Sequence, residues 1–472
     1  MTAKANGGIK QEAKEDSKSM NGTTSDYKVF VKTTRYVREV PESFLSVSLD
    51  TNIARYKWCG LNFSFIEPLA KELAPSYLRF GGTEADALIF QEKADPDFVM
   101  EVPTLCPARA DTTRILHHFT FTGMRFIFDL NMVLRSGSRW DPSNAIRFIE
   151  YAKRRRYDLD FELGNEPDHY ENYFNISVNG SQVAKDYRHL RKLLNSYKEY
   201  KGSKIIGPSI GSYAQILKDF VAHGGKKYVD GLSFHFYYLA GQTAKLEDFL
   251  NSTILDYLDI SIGRMKNLTN GSIWLGEGSS AYGGGAPNIS DTFASGFMYL
   301  DMLGLSALKG VDVVVRQDLF HGNYSLLNDS MMPNHDFWLA VLYKKLVGRQ
   351  ILDPRFHPKD SSLRLYAACN KKNNGLVLYG LKLTNDQFTI NLPQFYDKKA
   401  NVYLFKEAEP GNLRSKRTKL NGRLLEWNPA EPFPKMHGLK KSFPITLPGH
   451  SQFFIEISSR IKACQYSYEN DL

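Results

Sequence analysis

The chain has 472 residues, room for two or three domains of roughly 100 to 200 residues each. Its 42% hydrophobic, 24% charged and 13% aromatic content is that of an ordinary globular protein and excludes a collagen, a disordered chain or a disulfide scaffold as a description of the whole. The net charge of +9 suits an acidic polymer as partner without demanding one, and no apolar run approaches the ~18 residues of a membrane span, so a soluble protein is expected.

Residues 1–26 are polar and rich in Gly, Ser and Lys, without the apolar stretch of a secretory signal, and read as a disordered segment. Ten Asn-x-Ser/Thr sequons, at Asn21, Asn62, Asn175, Asn179, Asn251, Asn267, Asn270, Asn288, Asn323 and Asn328, exceed the about three or four that chance would give. The excess favours a secreted or lysosomal glycoprotein. The segment from Tyr27 to Val40 reads as a strand, placed within 27–43 and expected to pair with a second domain.

From residue 44 to 348, apolar runs of strand length alternate with helical segments such as Asn144–Arg155 and Val183–Lys198. The strands fall at Phe44–Asp50, Tyr77–Gly82, Arg125–Asn131, Asp158–Glu166, Lys204–Ile210, Gly231–Tyr238, Ser272–Ser280 and Val311–Asp318. Eight such units are the count that closes an α/β (β/α)8 barrel. An open doubly wound sheet competes, but no Gly-x-Gly-x-x-Gly turn follows the first strand. Residues 349–472 change to short alternating strands at Leu363–Ala368, Gly375–Leu381, Phe388–Leu392, Ala400–Phe405 and Ser451–Ile457, the signature of an appended β-sandwich.

Barrel chemistry sits at the C-terminal ends of strands, and two ends stand out. The fourth runs Leu163-Gly164-Asn165-Glu166-Pro167, the seventh Trp274-Leu275-Gly276-Glu277. Strands four and seven face each other across the barrel mouth, so Glu166 and Glu277 can converge. That geometry suits glycoside hydrolysis, in which one carboxylic acid protonates the leaving oxygen while the other attacks the anomeric carbon. A nearby ionised Glu277 should raise the proton affinity of Glu166. The cysteines Cys59, Cys106, Cys369 and Cys464 lack the paired spacing of a zinc site, and on spacing alone one disulfide, two or none remain open.

The two glutamate motifs, together with Tyr77-Leu78-Arg79-Phe80-Gly81-Gly82-Thr83, Ser279 to Pro287 (SSAYGGGAP) and Ser290-Asp291-Thr292-Phe293, closely resemble the heparanase family, retaining endo-β-glucuronidases that also include leech hyaluronidases. The resemblance runs from about residue 28 to the C-terminus. It implies that Glu166 is the proton donor and Glu277 the nucleophile, with Asn165 on the sugar 2-hydroxyl. By the same resemblance Asp50 and Thr83 contact the glucuronate, Tyr237 and Tyr324 orient the nucleophile and the carboxylate, and Gln317, Gly283 and Gly284 complete the cradle. His235 is expected as a partner behind the site. The family has Gly-Glu-Thr where this chain has Gly276-Glu277-Gly278, which removes no catalytic group. The family also implies a Cys369–Cys464 disulfide, while Cys59 and Cys106 have no secure counterparts.

The basic run Lys153-Arg154-Arg155-Arg156 precedes the fourth strand and reads as a solvated helix end, as does Lys226-Lys227 before the sixth. Arg135, Arg139 and Lys245 lie in loops that follow strands, where an acidic chain would pass. Heparan sulfate is the expected substrate. Hyaluronan is the alternative, favoured by the Asp168-His169 pair and by the absence of an arginine pair in the Gly211–Gln215 loop. A non-catalytic heparan sulfate-binding homologue is the rival from another class. The short stretch between Phe90 and Arg114 implies an enzyme active as one uncut chain. No metal, organic cofactor or nucleic acid is expected, and the protein should be a monomer.

Overall fold

The computed structural model describes residues 24–55, 61–91, 122–211 and 215–465. Cys59, Cys106, the sequon at Asn21 and most of the Phe90 to Arg114 stretch lie outside the described residues, as does part of the Gly211–Gln215 loop.

Eight parallel strands, β1 (Leu45–Asp50), β2 (Ser76–Gly81), β3 (Met124–Leu130), β4 (Leu159–Leu163), β5 (Ile206–Ile210), β6 (Gly231–Ala240), β7 (Ile273–Tyr282) and β8 (Val313–Arg316), form one sheet in the order 4-3-2-1-8-7-6-5. Parallel bridges Phe161–Ile205 and Asn165–Ser209 close β4 onto β5. Helices fill the crossovers. Ser143–Arg155 buries Ala145, Phe148, Ile149 and Ala152, the three-and-four spacing of a helix that covers a sheet. Gly180–Asn195 starts in a reciprocal capping box between Asn179 and Gln182.

Side chains alternate along each strand, and inside the barrel this produces layers. Tyr77, Ile127, Ile206, Trp274, Val313 and Val315 form an apolar plug. Two residues further along their strands, Arg79 and Asp129 point the same way one layer higher, toward the C-terminal mouth, where Glu162 joins Arg79. The apolar plug closes the barrel beneath the charged layer.

The second domain is a sandwich. Its larger sheet runs Arg38–Glu39, Val347–Leu352, Leu363–Asn370, Leu376–Lys382, Ser451–Ile457, Lys399–Glu407, Thr418–Leu420 and Arg423–Leu424, with Leu439–Ser442 beside Lys399–Glu407. The smaller sheet runs Pro354–His357, Ser25–Val31, Phe388–Asn391 and Ile445–Leu447. The two sheets share a core that includes Tyr27, Val29, Leu378, Phe388, Phe453 and Ile455. The other face of the larger sheet packs on barrel helices through Tyr366, Tyr379 and Phe454. The Cys369–Cys464 disulfide is formed, with its Cα atoms 5.5 Å apart.

Two expectations need adjustment. The strand Ser25–Val31 starts inside the segment expected to be disordered through residue 26. The single strand expected from Tyr27 to Val40 is two: Ser25–Val31 joins the smaller sheet and Arg38–Glu39 the larger, because the polar stretch between them carries the chain from one layer to the other. No helix among the described residues is long and apolar enough to cross a membrane.

Candidate active site

The barrel mouth gathers the two glutamates. β4 ends at Leu163, and the chain turns through Gly164 (φ 76°) and Glu166 (φ 51°) before Pro167. Glu277 sits within β7. One oxygen of each carboxylate and a ring nitrogen of His235 lie within 4.8 Å of one another. Oxygens this close are compatible with the about 5 to 5.5 Å between the carboxyl groups of a retaining pair.

Their surroundings divide the roles. Glu277 Oε2 accepts from Arg79 at 2.7 Å and Oε1 accepts from the Tyr237 hydroxyl at 2.6 Å. Burial opposes its charge, but His235, Arg79 and the Tyr237 hydrogen bond outweigh burial and hold the carboxyl below its ordinary value. An ionised carboxylate fixed at both oxygens has the state and the rigidity that a nucleophile requires. Glu166 is less engaged: His235 Nδ1 lies 2.9 Å from its Oε1, and its side chain is 17% exposed against 9% for Glu277. Burial disfavours the charged form of His235, but the Glu277 and Glu166 carboxylates raise its affinity for a proton above the ordinary value. Glu166, His235 and Glu277 have the donor types of a metal site, yet the Arg79 cation on Glu277 opposes a second positive charge there.

The remaining predicted residues ring this pair. Asp50 Oδ2 accepts from Gln317 Nε2 at 2.7 Å, and Gln317 Oε1 in turn accepts from Ser48. Burial and the Glu277 charge push Asp50 up to about 7. Thr83 opens the 3-10 turn directly after β2. Tyr324 stacks on Tyr237 with ring centroids 6.3 Å apart. Gly283, Gly284 and Gly285 follow β7 with φ of 74°, 85° and 89°, a run of left-handed conformations that only glycine adopts readily. Gly284 accepts from Asn323 N at 2.7 Å, and a Cβ on Gly285 would come within 2.7 Å of Tyr324 N. The loop is thereby pressed against Tyr324, while Gly283 and Gly284 face open space.

Sequence reasoning missed the centre of the network. Arg79 is fully buried and donates to Glu162 at 2.6 Å, Glu277 at 2.7 Å and Asn165 Oδ1 at 2.8 Å. One guanidinium therefore ties Glu277 to Asn165, the residue preceding Glu166. The available signal was a charged residue in the middle of each of two strands whose neighbours are apolar. Arg135 also reads differently: it is bound to Asp186 at 2.8 Å and to the Ser138 carbonyl, so it braces its own loop. Arg139 and Lys245 are exposed.

Residues 59–304 match the sequence family described as "Glycosyl hydrolase family 79, N-terminal domain". The chain belongs to glycosyl hydrolase family 79. Family 79 membership extends beyond that segment: the chain is 34% identical to heparanase of Mus musculus, over 92% of this chain and 93% of the mouse protein. It is 30% identical to hyaluronoglucuronidase of Hirudo nipponia, over 91% and 97% of the two chains. Among solved structures, a 4-O-α-L-rhamnosyl-β-D-glucuronidase from Fusarium oxysporum superposes with a TM-score of 0.68 at 14% identity, covering 91% of this chain and all of that one. This last likeness concerns the barrel-plus-sandwich fold. The protein is a glycoside hydrolase of the heparanase-like family.

Proposed function

We propose that this protein is a retaining endo-β-glucuronidase that cleaves heparan sulfate. The observation that carries the chemistry is the convergence of Glu166 and Glu277 with oxygens within 4.8 Å, one open and one locked by Arg79 and Tyr237. Glu166 gives its proton to the glycosidic oxygen while Glu277 attacks the anomeric carbon, and the C–O bond to the leaving sugar breaks. A water deprotonated by Glu166 then releases the glycosyl group, with net retention at the anomeric carbon. Asn165 is suited to the 2-hydroxyl, and Asp50, Thr83, Gln317, Tyr324 and the Gly283–Gly284 backbone to the uronic acid.

The relatives' names support glucuronide cleavage, and the charge balance supports an acidic polymer. The sandwich adds a cation that the sequence did not indicate. Its loop docks on the barrel face through Phe293 N to Ser415 O and Ala294 N to Leu413 O. Lys416 pairs with Asp291 and Arg417 with Glu409, whereas Arg414 is exposed and donates to the Asn288 carbonyl at 3.3 Å, three residues from the glycine loop. A polymer leaving the cleft over that loop meets Arg414.

Hyaluronan is the second reading, favoured by the Asp168-His169 pair beside the acid and by the engagement of Arg135. Secretion or lysosomal delivery fits nine described sequon asparagines, all exposed, and the disulfide. Parallel digestion of heparan sulfate, hyaluronan and chondroitin, with Glu166→Gln and Glu277→Gln as controls, tests the proposal. New reducing ends from heparan sulfate ending in glucuronic acid are expected. Cleavage of hyaluronan alone would transfer the assignment to the second reading, and N-acetylglucosamine at the new ends would overturn glucuronidase chemistry.

A further inference from the structure

The acid Glu166 occupies a turn that the sheet does not hold by itself. Gly164 and Glu166 are both left-handed, and a Cβ on Gly164 would come within 2.2 Å of the Tyr170 hydroxyl. Glu166 N donates to Ser209 O on β5 at 2.7 Å, but the preceding amide, Asn165 N, finds its acceptor elsewhere. It donates to Asp86 Oδ2 at 2.7 Å. The same oxygen accepts from the Tyr170 hydroxyl at 2.8 Å, and Asp86 Oδ1 accepts from Met132 N at 2.8 Å. Asp86 lies in the 3-10 turn after β2, Met132 follows β3, and Asn165 and Tyr170 follow β4. A single buried carboxylate, 2% exposed, thus fastens three consecutive loops of the catalytic face to one another.

We propose that Asp86 is the positioning residue for the acid/base carboxylate: its clamp on Asn165 N, braced by Tyr170, sets the turn from which Glu166 reaches the leaving-group oxygen. Asp86 does not reach the reacting atoms, since its oxygens are occupied by the loops it joins. Glu277 is held by Arg79 and Tyr237; Arg79 also bonds the Asn165 side chain, so the clamp acts directly on the turn that carries the acid and reaches the nucleophile only through that guanidinium. All three partners donate, so both oxygens are needed as acceptors, although burial pushes the carboxyl up to about 6. Asparagine has the same shape but one acceptor oxygen and two N–H donors, and either orientation of its amide turns an NH2 toward Met132 N or toward Asn165 N and Tyr170. A buried donor then faces a donor, and the loop that carries Glu166 shifts to escape it.

This inference rests on the glucuronidase reading, and the test separates the two. Wild-type activity is first measured on 4-methylumbelliferyl and 2,4-dinitrophenyl β-glucuronides. If neither is cut although heparan sulfate or hyaluronan is, the same aryl pair is joined to the shortest glucuronide-terminated oligosaccharide the wild type accepts; if no glucuronide of any length is cut, the glucuronidase reading fails, and the clamp is tested on the aryl pair joined to whichever sugar the wild type accepts. Dinitrophenolate leaves without protonation, whereas methylumbelliferone needs the acid. Asp86→Asn is expected to lower kcat/KM about 10- to 100-fold on the methylumbelliferyl substrate and less than about fivefold on the dinitrophenyl one. Added azide, which attacks the glycosyl-enzyme without a base, should restore its slowed dinitrophenyl turnover. Tyr170→Phe removes one brace and should shift the same ratio about two- to fivefold, which keeps the test alive if Asp86→Asn does not fold. Equal losses on both leaving groups, or none, would overturn the proposal.

Discussion

Replacing Asp50 by asparagine should flatten the pH dependence of stability. In the folded protein, burial and the charge of Glu277 raise this carboxyl from an ordinary 3.8 to about 7. Between those values the folded state holds a proton that the unfolded state has released, so stability falls as pH rises through the window. A gap of about three pH units corresponds to about 4 kcal/mol in full, of which about 2 to 3 kcal/mol is lost between pH 5 and 7.5. His335, held down to about 3 by burial, acts with the opposite sign from pH 3 to 6.5 but is common to both proteins and cancels. Asparagine also turns an NH2 toward Gln317 Nε2, a cost of about 1 to 3 kcal/mol that does not depend on pH. Urea unfolding of both proteins at pH 5, 6, 7 and 7.5 separates the two effects. The difference in stability should shift by about 2 to 3 kcal/mol in favour of Asp50→Asn between the extremes. Parallel curves would show that Asp50 is ionised throughout the folded state and that the reasoning is wrong.

Arg79→Lys keeps the charge but cannot span Glu162, Glu277 and Asn165 together. It should lower kcat at least 100-fold, while circular dichroism shows a folded protein. Tyr237→Phe removes a hydrogen bond that holds Glu277 below its ordinary value. The ionised nucleophile then needs a higher pH, so the acid limb of the kcat/KM profile should move upward, with kcat about tenfold lower. Arg414→Glu should raise KM for sulfated polymer a few-fold at low salt, with the effect shrinking at high salt. Hydrolysis of a small aryl glucuronide by the same variant should stay at the wild-type rate.

The eight barrel strands were legible because each is a largely buried run rich in apolar residues, and their order needs no long-range information once eight strand–helix units are counted. Glu166 and Glu277 were legible because position along a barrel strand already fixes which end faces the mouth. What could not be read is what depends on side chains meeting across the barrel. Arg79 looks like one polar residue in Tyr77-Leu78-Arg79-Phe80, and its three partners come from sites 83 to 198 residues away. Asp86 belongs to a polar turn, and only the fold shows that it caps an amide 79 residues further on. Arg135 lies in the loop where it was expected, but its pairing with Asp186, on the far side of a crossover, could not be read for the same reason. In the sandwich, five strands were found, but Val347–Leu352, which straddles the boundary expected after residue 348, was missed, and Arg423–Leu424 and Arg38–Glu39 are two-residue edges too short to show a period.

The strand Ser25–Val31 has a history that its place in the fold imposes. It lies inside the smaller sandwich sheet, antiparallel to Pro354–His357 and parallel to Phe388–Asn391. As the chain leaves the ribosome, this strand therefore emerges before either neighbour exists. Its nearest partner, Pro354, follows Val31 by 323 residues, a delay of roughly 15 to 65 seconds at synthesis rates of about 5 to 20 residues per second. Through that interval the whole barrel is made while an apolar-faced strand waits without its ladder. The sandwich closes last and needs both ends of the chain, so trimming the chain past Ser25 would not shorten an edge but split a sheet, leaving two unpaired flanks where one strand had joined them.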